Sequence, residues 1–288
     1  MADQSSHDPV TGTETTGHDW DGITELNTPL PRWWLWTLYL TIVWGVGYSI
    51  AYPAWPMIQG ATTGFLGYST RAEVAAEITR VDEQNAEVAA MLASAELANL
   101  PRDHPAYQFG VSGGAAIFRA NCSQCHGAGA AGAVGYPNLL DDAWLWGGAI
   151  DEIEYTVRHG IRNEQDPDAH WSQMPAFGEL LSDEEIEFTT EFILALSGQE
   201  HDATLAAEGD VLYAENCSSC HGELGLGDPT VGAPNLADAI WLYGGDRETI
   251  KYSITNARFG VMPAWGLRLS EEDVKAVTIY VHQLGGGQ

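Results

Sequence analysis

From Trp33 to Trp55 the chain reads WWLWTLYLTIVWGVGYSIAYPAW, and no charged side chain follows Arg32 until Arg71. An uncharged apolar run of about 23 residues is long enough to cross the bilayer core as a helix. The pattern predicts a transmembrane anchor over 32–56. Its aromatic residues gather at the two ends, at Trp33, Trp34 and Trp36 and again at Tyr52 and Trp55, as side chains that settle at the membrane interfaces do. A cleaved signal peptide fits less well, because the preceding segment is acidic, the apolar run is long and no small-x-small cleavage site follows. Residues 1–28 are rich in Ser, Thr, Gly and Asp and are expected to be disordered, the tail 1–31 ending in Pro29-Leu30-Pro31.

Beyond the anchor, 57–105 reads as a spacer. Val74, Ile78, Val81, Val88 and Leu92 recur at helical intervals within an Ala- and Glu-rich stretch from Arg71 to Leu97, which predicts a solvated helical stalk. The remainder is an internal repeat. Gly114-x3-Phe118-x3-Cys122 recurs as Gly209-x3-Tyr213-x3-Cys217, Pro137-Asn138-Leu139 as Pro234-Asn235-Leu236, and Trp144-Leu145-Trp146-Gly147-Gly148 as Trp241-Leu242-Tyr243-Gly244-Gly245. Met174-Pro175-Ala176-Phe177-Gly178 matches Met262-Pro263-Ala264-Trp265-Gly266. Each copy closes with a helix opened by Ser182 to Glu185 or Ser270 to Asp273, a capping-box pattern. The copies predict two domains, 106–198 and 199–288, in a mainly α protein.

The chemistry lies in the repeat. The four cysteines all fall in two C-x-x-C-H motifs, Cys122, Cys125 and His126, then Cys217, Cys220 and His221. Two thiols and a histidine on one turn of helix suit thioether attachment of a haem c with the imidazole on its iron; a zinc or redox C-x-x-C leaves the histidine unexplained. Met174 and Met262 are the candidate second axial ligands, because thioether ligation is the cytochrome c pattern. The reading is two covalently bound haems, each with both iron faces taken, suited to electron transfer. His159 and His170 are rival ligands in the first copy alone, while His104, His201 and His282 read as surface residues. Phe118 or Tyr213 on the first helix of a copy should cross Phe192 or Tyr280 on the last. Arg162 and Arg258 are candidates either for pairing with haem propionates or for plain surface charge. Met174 stands 48 positions after His126, and Met262 stands 41 after His221. The polar insertion around Asn163 to Gln173 therefore predicts a larger loop on the methionine side of the first copy.

Charge narrows the partners. With 12 Lys and Arg against 40 Asp and Glu, the net charge is -28, which argues against nucleic acid and is compatible with a basic protein partner or with solubility alone. Haem c is attached outside energy-transducing membranes, so residues after Trp55 are expected in the periplasm and the N-terminus in the cytoplasm, a single pass through the cell inner membrane.

Taken together, Trp20-Asp21-Gly22-Ile23-x-Glu25-Leu26-Asn27-x-Pro29-Leu30-Pro31-Arg32-Trp33-Trp34, Tyr52-Pro53-Ala54-Trp55-Pro56, Gly135-Tyr136-Pro137-Asn138-Leu139 and His159-Gly160-Ile161-Arg162 resemble the third subunit of cbb3-type haem-copper cytochrome c oxidases, the FixP/CcoP family. The resemblance covers nearly the whole chain. It implies two class I cytochrome c domains in tandem behind the anchor, with haem ligands at His126, Met174, His221 and Met262. It implies electrons arriving from a bc1 complex or soluble cytochrome c and leaving for a monohaem cytochrome c subunit and the catalytic haem-copper subunit. Some relatives have two N-terminal membrane helices, where this chain shows one. Two other readings stand beside it: an enzyme such as a dihaem peroxidase, which would bind carbon monoxide when reduced, and an anchored shuttle with no fixed oxidase partner.

Overall fold

A computed structural model describes residues 7–288; Met1 to Ser6, the start of the expected disordered tail, lie outside the described residues. The chain forms two compact units, one ending at Glu83 and one beginning at Gln84.

In the first unit, strands β1 (Thr15–Trp20) and β2 (Ile23–Leu26) form an antiparallel hairpin with Trp20 opposite Ile23. The disorder expected here is corrected by its turn. Asp21 and Gly22 have φ of 53° and 89°, and an Asp-Gly pair takes up two successive positive φ values more readily than most dipeptides. Helix α1 (Arg32–Ala51) has 20 residues and no buried side chain, and its length and composition suffice to cross a membrane. At 1.5 Å per residue it measures about 30 Å. It stops short of the expected 56 because Pro53 disfavours helical backbone at the residue before it. Pro56–Met57 and Gly60–Ala61, strands β3 and β4, make a small hairpin beyond it. The amides of Phe65 and Leu66 then return to the carbonyls of Ile50 and Ala51 at 2.8 and 3.0 Å, satisfying acceptors left free at the helix end. Gly64 makes that return possible, since its φ is +69° and any Cβ would overlap the Ala51 carbonyl.

Helix α2 (Thr70–Ser94) starts as the exposed stalk expected, but its end is core. Leu92 is fully buried and clusters with Leu97, Ala106, Tyr107, Ala276 and Ile279. Lys275 fixes this end by donating from Nζ to the carbonyls of Ala93 and Ala95 at 2.7 and 2.8 Å, a cation placed where the helix dipole favours one. Lys275→Ala is expected to cost about 2 kcal/mol, from the charged hydrogen bonds and the dipole term. Amide exchange over 88–97 should quicken. Unchanged exchange there would place the role of Lys275 elsewhere.

The second unit continues with α3 (Pro105–Ile117), capped by His104, whose Nδ1 accepts from the Ala106 amide at 3.1 Å. His104 is thus more than a surface residue. A π-helical turn, Phe118–Cys122, leads into α4 (Ser123–His126), and α5 (Ile150–His159) follows. Helix α6 (Asp183–Leu196) begins with the predicted reciprocal box between Ser182 and Glu185. Then come α7 (Ala203–Asn216), α8 (Ser218–His221), α9 (Arg247–Asn256) and α10 (Glu271–His282). In α10, Ser270 accepts from the Asp273 amide, while the shorter aspartate provides no return bond among the described residues.

The repeat follows one order along the chain and another in space. Helix α3 packs against α10: a Cβ on Gly114 would overlap the Ala276 carbonyl, and Phe118 meets Tyr280 at 5.5 Å between ring centroids. Helix α7 packs against α6, with Gly209 against the Phe188 carbonyl and Tyr213 meeting Phe192 at 5.0 Å. The aromatic crossings predicted within each copy therefore occur between copies. One core joins Phe118, Ile153 and Val157 to Val274, Val277 and Val281; the other joins Phe177, Ile186 and Ile193 to Tyr213, Leu236, Ile250 and Ile254. Hence 106–198 and 199–288 do not pack as two self-contained bodies, because each copy exchanges its last part with the other. The short link at 197–202 favours this arrangement, since helices joined by so few residues pack as neighbours. The link is tied down by Glu191, which is buried, pairs with Arg247 and accepts from the Asp202 amide at 2.7 Å.

Candidate functional site

The two C-x-x-C-H histidines sit in matching environments built by the repeated Pro-Asn-Leu segment. His126 Nδ1 lies 3.1 Å from the Pro137 carbonyl, and His221 Nδ1 lies 3.0 Å from the Pro234 carbonyl. A carbonyl oxygen can only accept, so Nδ1 carries the proton and Nε2 keeps its lone pair, the tautomer a metal-ligating imidazole needs. Burial pushes both histidines below the usual imidazole range, partly offset by the carbonyl bond. That direction favours the uncharged ring, the form in which an imidazole can ligate a metal. The sequence reading missed the proline carbonyls, although the repetition of Pro-Asn-Leu was their signal. Asn138 and Asn235 hold the same turns, accepting from the amides of Leu140 and Ala237 at 3.0 and 2.8 Å.

Each histidine opens onto a cleft, and each cleft brings one methionine from the opposite copy. The first cleft is lined by Cys122, His126, Leu139, Trp144, Val157 and Met262 among others and has about 750 Å³ of empty volume. The second, about 1380 Å³ counting its open mouth, is lined by Cys217, Cys220, His221, Trp241, Ile254 and Met174. The sequence order His126 to Met174 and His221 to Met262 is corrected to His126 with Met262 and His221 with Met174. The physical reason is the helix exchange, which carries each methionine segment away with the helix that follows it. Met262 is fixed by its backbone, with Ile161 N to Met262 O and Met262 N to Ile161 O both at 3.0 Å. Met174 packs against the core around Phe177 and Ile186.

Cys122 and Cys217 are half-buried or buried, and burial pushes both thiols up to about 11; Cys125 and Cys220 are exposed. Each motif therefore has one covered sulfur and one exposed sulfur. The rival ligands stay out of the clefts. His159 bonds Asp166 at 3.0 Å; His170 stacks on Trp146 at 4.3 Å and meets the Thr156 hydroxyl at 3.0 Å. Among the described residues neither histidine lines a cleft. The insertion at 163–173 leads into Met174 and so borders the second cleft, not the first. His282 is tied to the C-terminal tail, with Nε2 3.0 Å from the Gln288 carbonyl. That tail also meets a residue lining the first cleft, its Gly286 carbonyl accepting from the Trp144 indole at 2.5 Å.

The donor sets fit a covalently held haem. Each cleft combines an apolar wall, an imidazole with a free Nε2 and a thioether, with Cys122 in the first and Cys217 and Cys220 in the second, which is the His/Met complement of a cytochrome c. The first cleft falls within the roughly 300–1000 Å³ usual for small-molecule and cofactor sites, and the second, whose volume includes its open mouth, is larger.

Comparison with known proteins gives a consistent picture along the whole chain. Residues 12–59 match the family model for the N-terminal domain of cytochrome oxidase-cbb3, FixP. Residues 110–193 and 204–281 match, in tandem, the model for cytochrome c oxidase, cbb3-type, subunit III. The chain is 57% identical to the cbb3-type cytochrome c oxidase subunit CcoP of Cereibacter sphaeroides over 276 residues, covering 95% of each chain. It is 46% identical to the FixP subunit of Sinorhizobium medicae over 289 residues, covering all of both. With CcoP of Rhodobacter capsulatus the identity is 51%, covering 96% of each.

Proposed function

The chain belongs to the subunit III family of cbb3-type cytochrome c oxidases, and from that premise we propose that it holds two haem c groups in crossed ligation and is the electron-entry subunit of the oxidase. It is an electron-transfer component of a multisubunit oxidase and binds haem c. The proposal adds one haem attached at Cys122 and Cys125 with His126 and Met262 on its iron, and one attached at Cys217 and Cys220 with His221 and Met174. A bound haem c supplies a one-electron iron couple. The chain's own residues attach it, orient the imidazole through the proline carbonyls and exclude water with the apolar walls. The observation that carries the reading is the convergence, in each cleft, of one Nε2 lone pair with one thioether from the other copy.

The donor is proposed to be a bc1 complex or a soluble cytochrome c, and the recipients a monohaem cytochrome c subunit and the catalytic haem-copper subunit. The N-terminal helix fits a membrane anchor, here proposed to cross the cell inner membrane once with the N-terminus cytoplasmic and the haem clefts periplasmic. Gentle detergent extraction of the tagged chain should bring down a haem-copper subunit and a monohaem cytochrome, with oxygen uptake from reduced cytochrome c. Emergence of the chain alone, where other respiratory complexes survive, would leave the free-standing shuttle. With both axial positions supplied by protein, the reduced isolated subunit should bind carbon monoxide at neither haem. A carbon monoxide spectrum from one haem would remove its methionine from the ligand set.

A further inference from the structure

The two clefts have similar walls but unequal charge. The first contains no Lys or Arg among its lining residues. The second is lined by both Arg162 and Arg258, although the two arginines belong to different copies of the repeat. This is unexpected in a chain with 12 basic residues among 40 acidic ones. Among the described residues neither has a carboxylate partner. Arg162 donates to the Gly260 carbonyl at 2.7 Å and the Ser172 carbonyl at 2.5 Å. Arg258 lies over the rings of Tyr252 and Tyr243, 4.4 and 5.3 Å from their centroids. Both are half-buried, and burial pushes Arg162 below the ordinary guanidinium range. Removing a guanidinium from water without a counter-ion is costly, and a carboxylate is the anion its planar fork matches.

We propose that Arg162 and Arg258 form a seat for the carboxylates of the haem in the second cleft, a seat the first cleft lacks. The inference rests on the reading that each cleft holds a haem c. Its consequence is electrostatic. Haem carboxylates stabilise the more positive, oxidised iron, and guanidinium groups paired with them offset that effect. The arginines therefore raise the potential of the second haem selectively and bias an electron on the pair toward it. Arg162 has a further part, because its two carbonyl bonds join the segment before Met174 to the segment before Met262. Arg258 has no such tie and is the cleaner probe.

The test is a potentiometric titration of the full-length chain carrying Arg258→Gln or Arg258→Lys, with haem content measured per chain. In Arg258→Gln one midpoint should fall by the equivalent of about a tenfold change in the ferrous-to-ferric ratio, about 59 mV for a one-electron couple. The other midpoint should stay in place, and Arg258→Lys should restore at least half of the shift. Both midpoints moving together, or neither moving, overturns the seat. If the Gln variant loses a haem, peptide mapping decides: loss from Cys217 and Cys220 supports the proposal and loss from Cys122 and Cys125 overturns it. A wild-type chain with only one haem would instead overturn the two-haem reading and leave the arginine assignment to whichever cleft is filled.

Discussion

In Met262→His the haem whose potential falls is the one attached at Cys122 and Cys125, and the haem at Cys217 and Cys220 keeps its own. The substitution replaces a thioether, which favours ferrous iron, by an imidazole, and both haems stay attached because the thiols are untouched. Axial ligands move haem potentials over a range of ~0.8 V, so a fall on the order of 0.2 V is expected at the affected haem. The decisive version uses a chain with Cys217→Ala and Cys220→Ala, which leaves one attachment site. There Met262→His should shift the remaining midpoint and Met174→His should not. The opposite pattern would restore ligation within each copy and remove the crossed assignment, since the two methionine segments reach different clefts.

That outcome matters because the sequence supports both arrangements nearly equally. The tandem order, the C-x-x-C-H pairs and the Met-Pro-Ala-aromatic-Gly segments are legible from residue types at fixed offsets. Which methionine serves which histidine is not, for a physical reason. The last helices of the two copies carry matching faces, Phe192 in one and Tyr280 in the other, and each can cross the first helix of either copy. What decides between them is chain length. The short link at 197–202 favours packing of α6 on α7, and the longer excursion through the second copy returns α10 to α3.

Other differences have similarly local causes. The N-terminal hairpin was signalled by Asp21-Gly22 but hidden by a composition that otherwise suggests disorder. The buried end of α2 follows from Leu92 and Leu97, whose partners Ala276 and Ile279 lie far along the chain. The proline carbonyls that set the histidine tautomers carry no side-chain signal; repetition of the residues around them is the only trace. Arg162 and Arg258, one in each copy, gave no hint in sequence that they would line the same cleft.

Gly114→Ala is expected to destabilise the subunit by at least about 3 kcal/mol and to loosen the first cleft rather than the one that holds Met174. At Gly114 the added methyl would overlap the Ala276 carbonyl and crowd the Tyr280 Cβ. Overpacking against mobile side chains costs about 1–3 kcal/mol, but a helical carbonyl has no rotamer in which to retreat, so α10 itself must shift. The better helix propensity of alanine returns only about 1 kcal/mol, too little to offset the clash. Because α10 follows directly on Met262 and Trp265, its displacement withdraws the methionine from His126. The companion change Gly209→Ala meets the Phe188 carbonyl on α6 and should disturb Met174 and the second cleft instead. Thermal unfolding gives the size of each loss, and carbon monoxide binding to the reduced haems reports which methionine has been released. Tolerance of both substitutions, or a Gly114→Ala variant that frees Met174, would mean that α3 does not cross α10 in the folded protein.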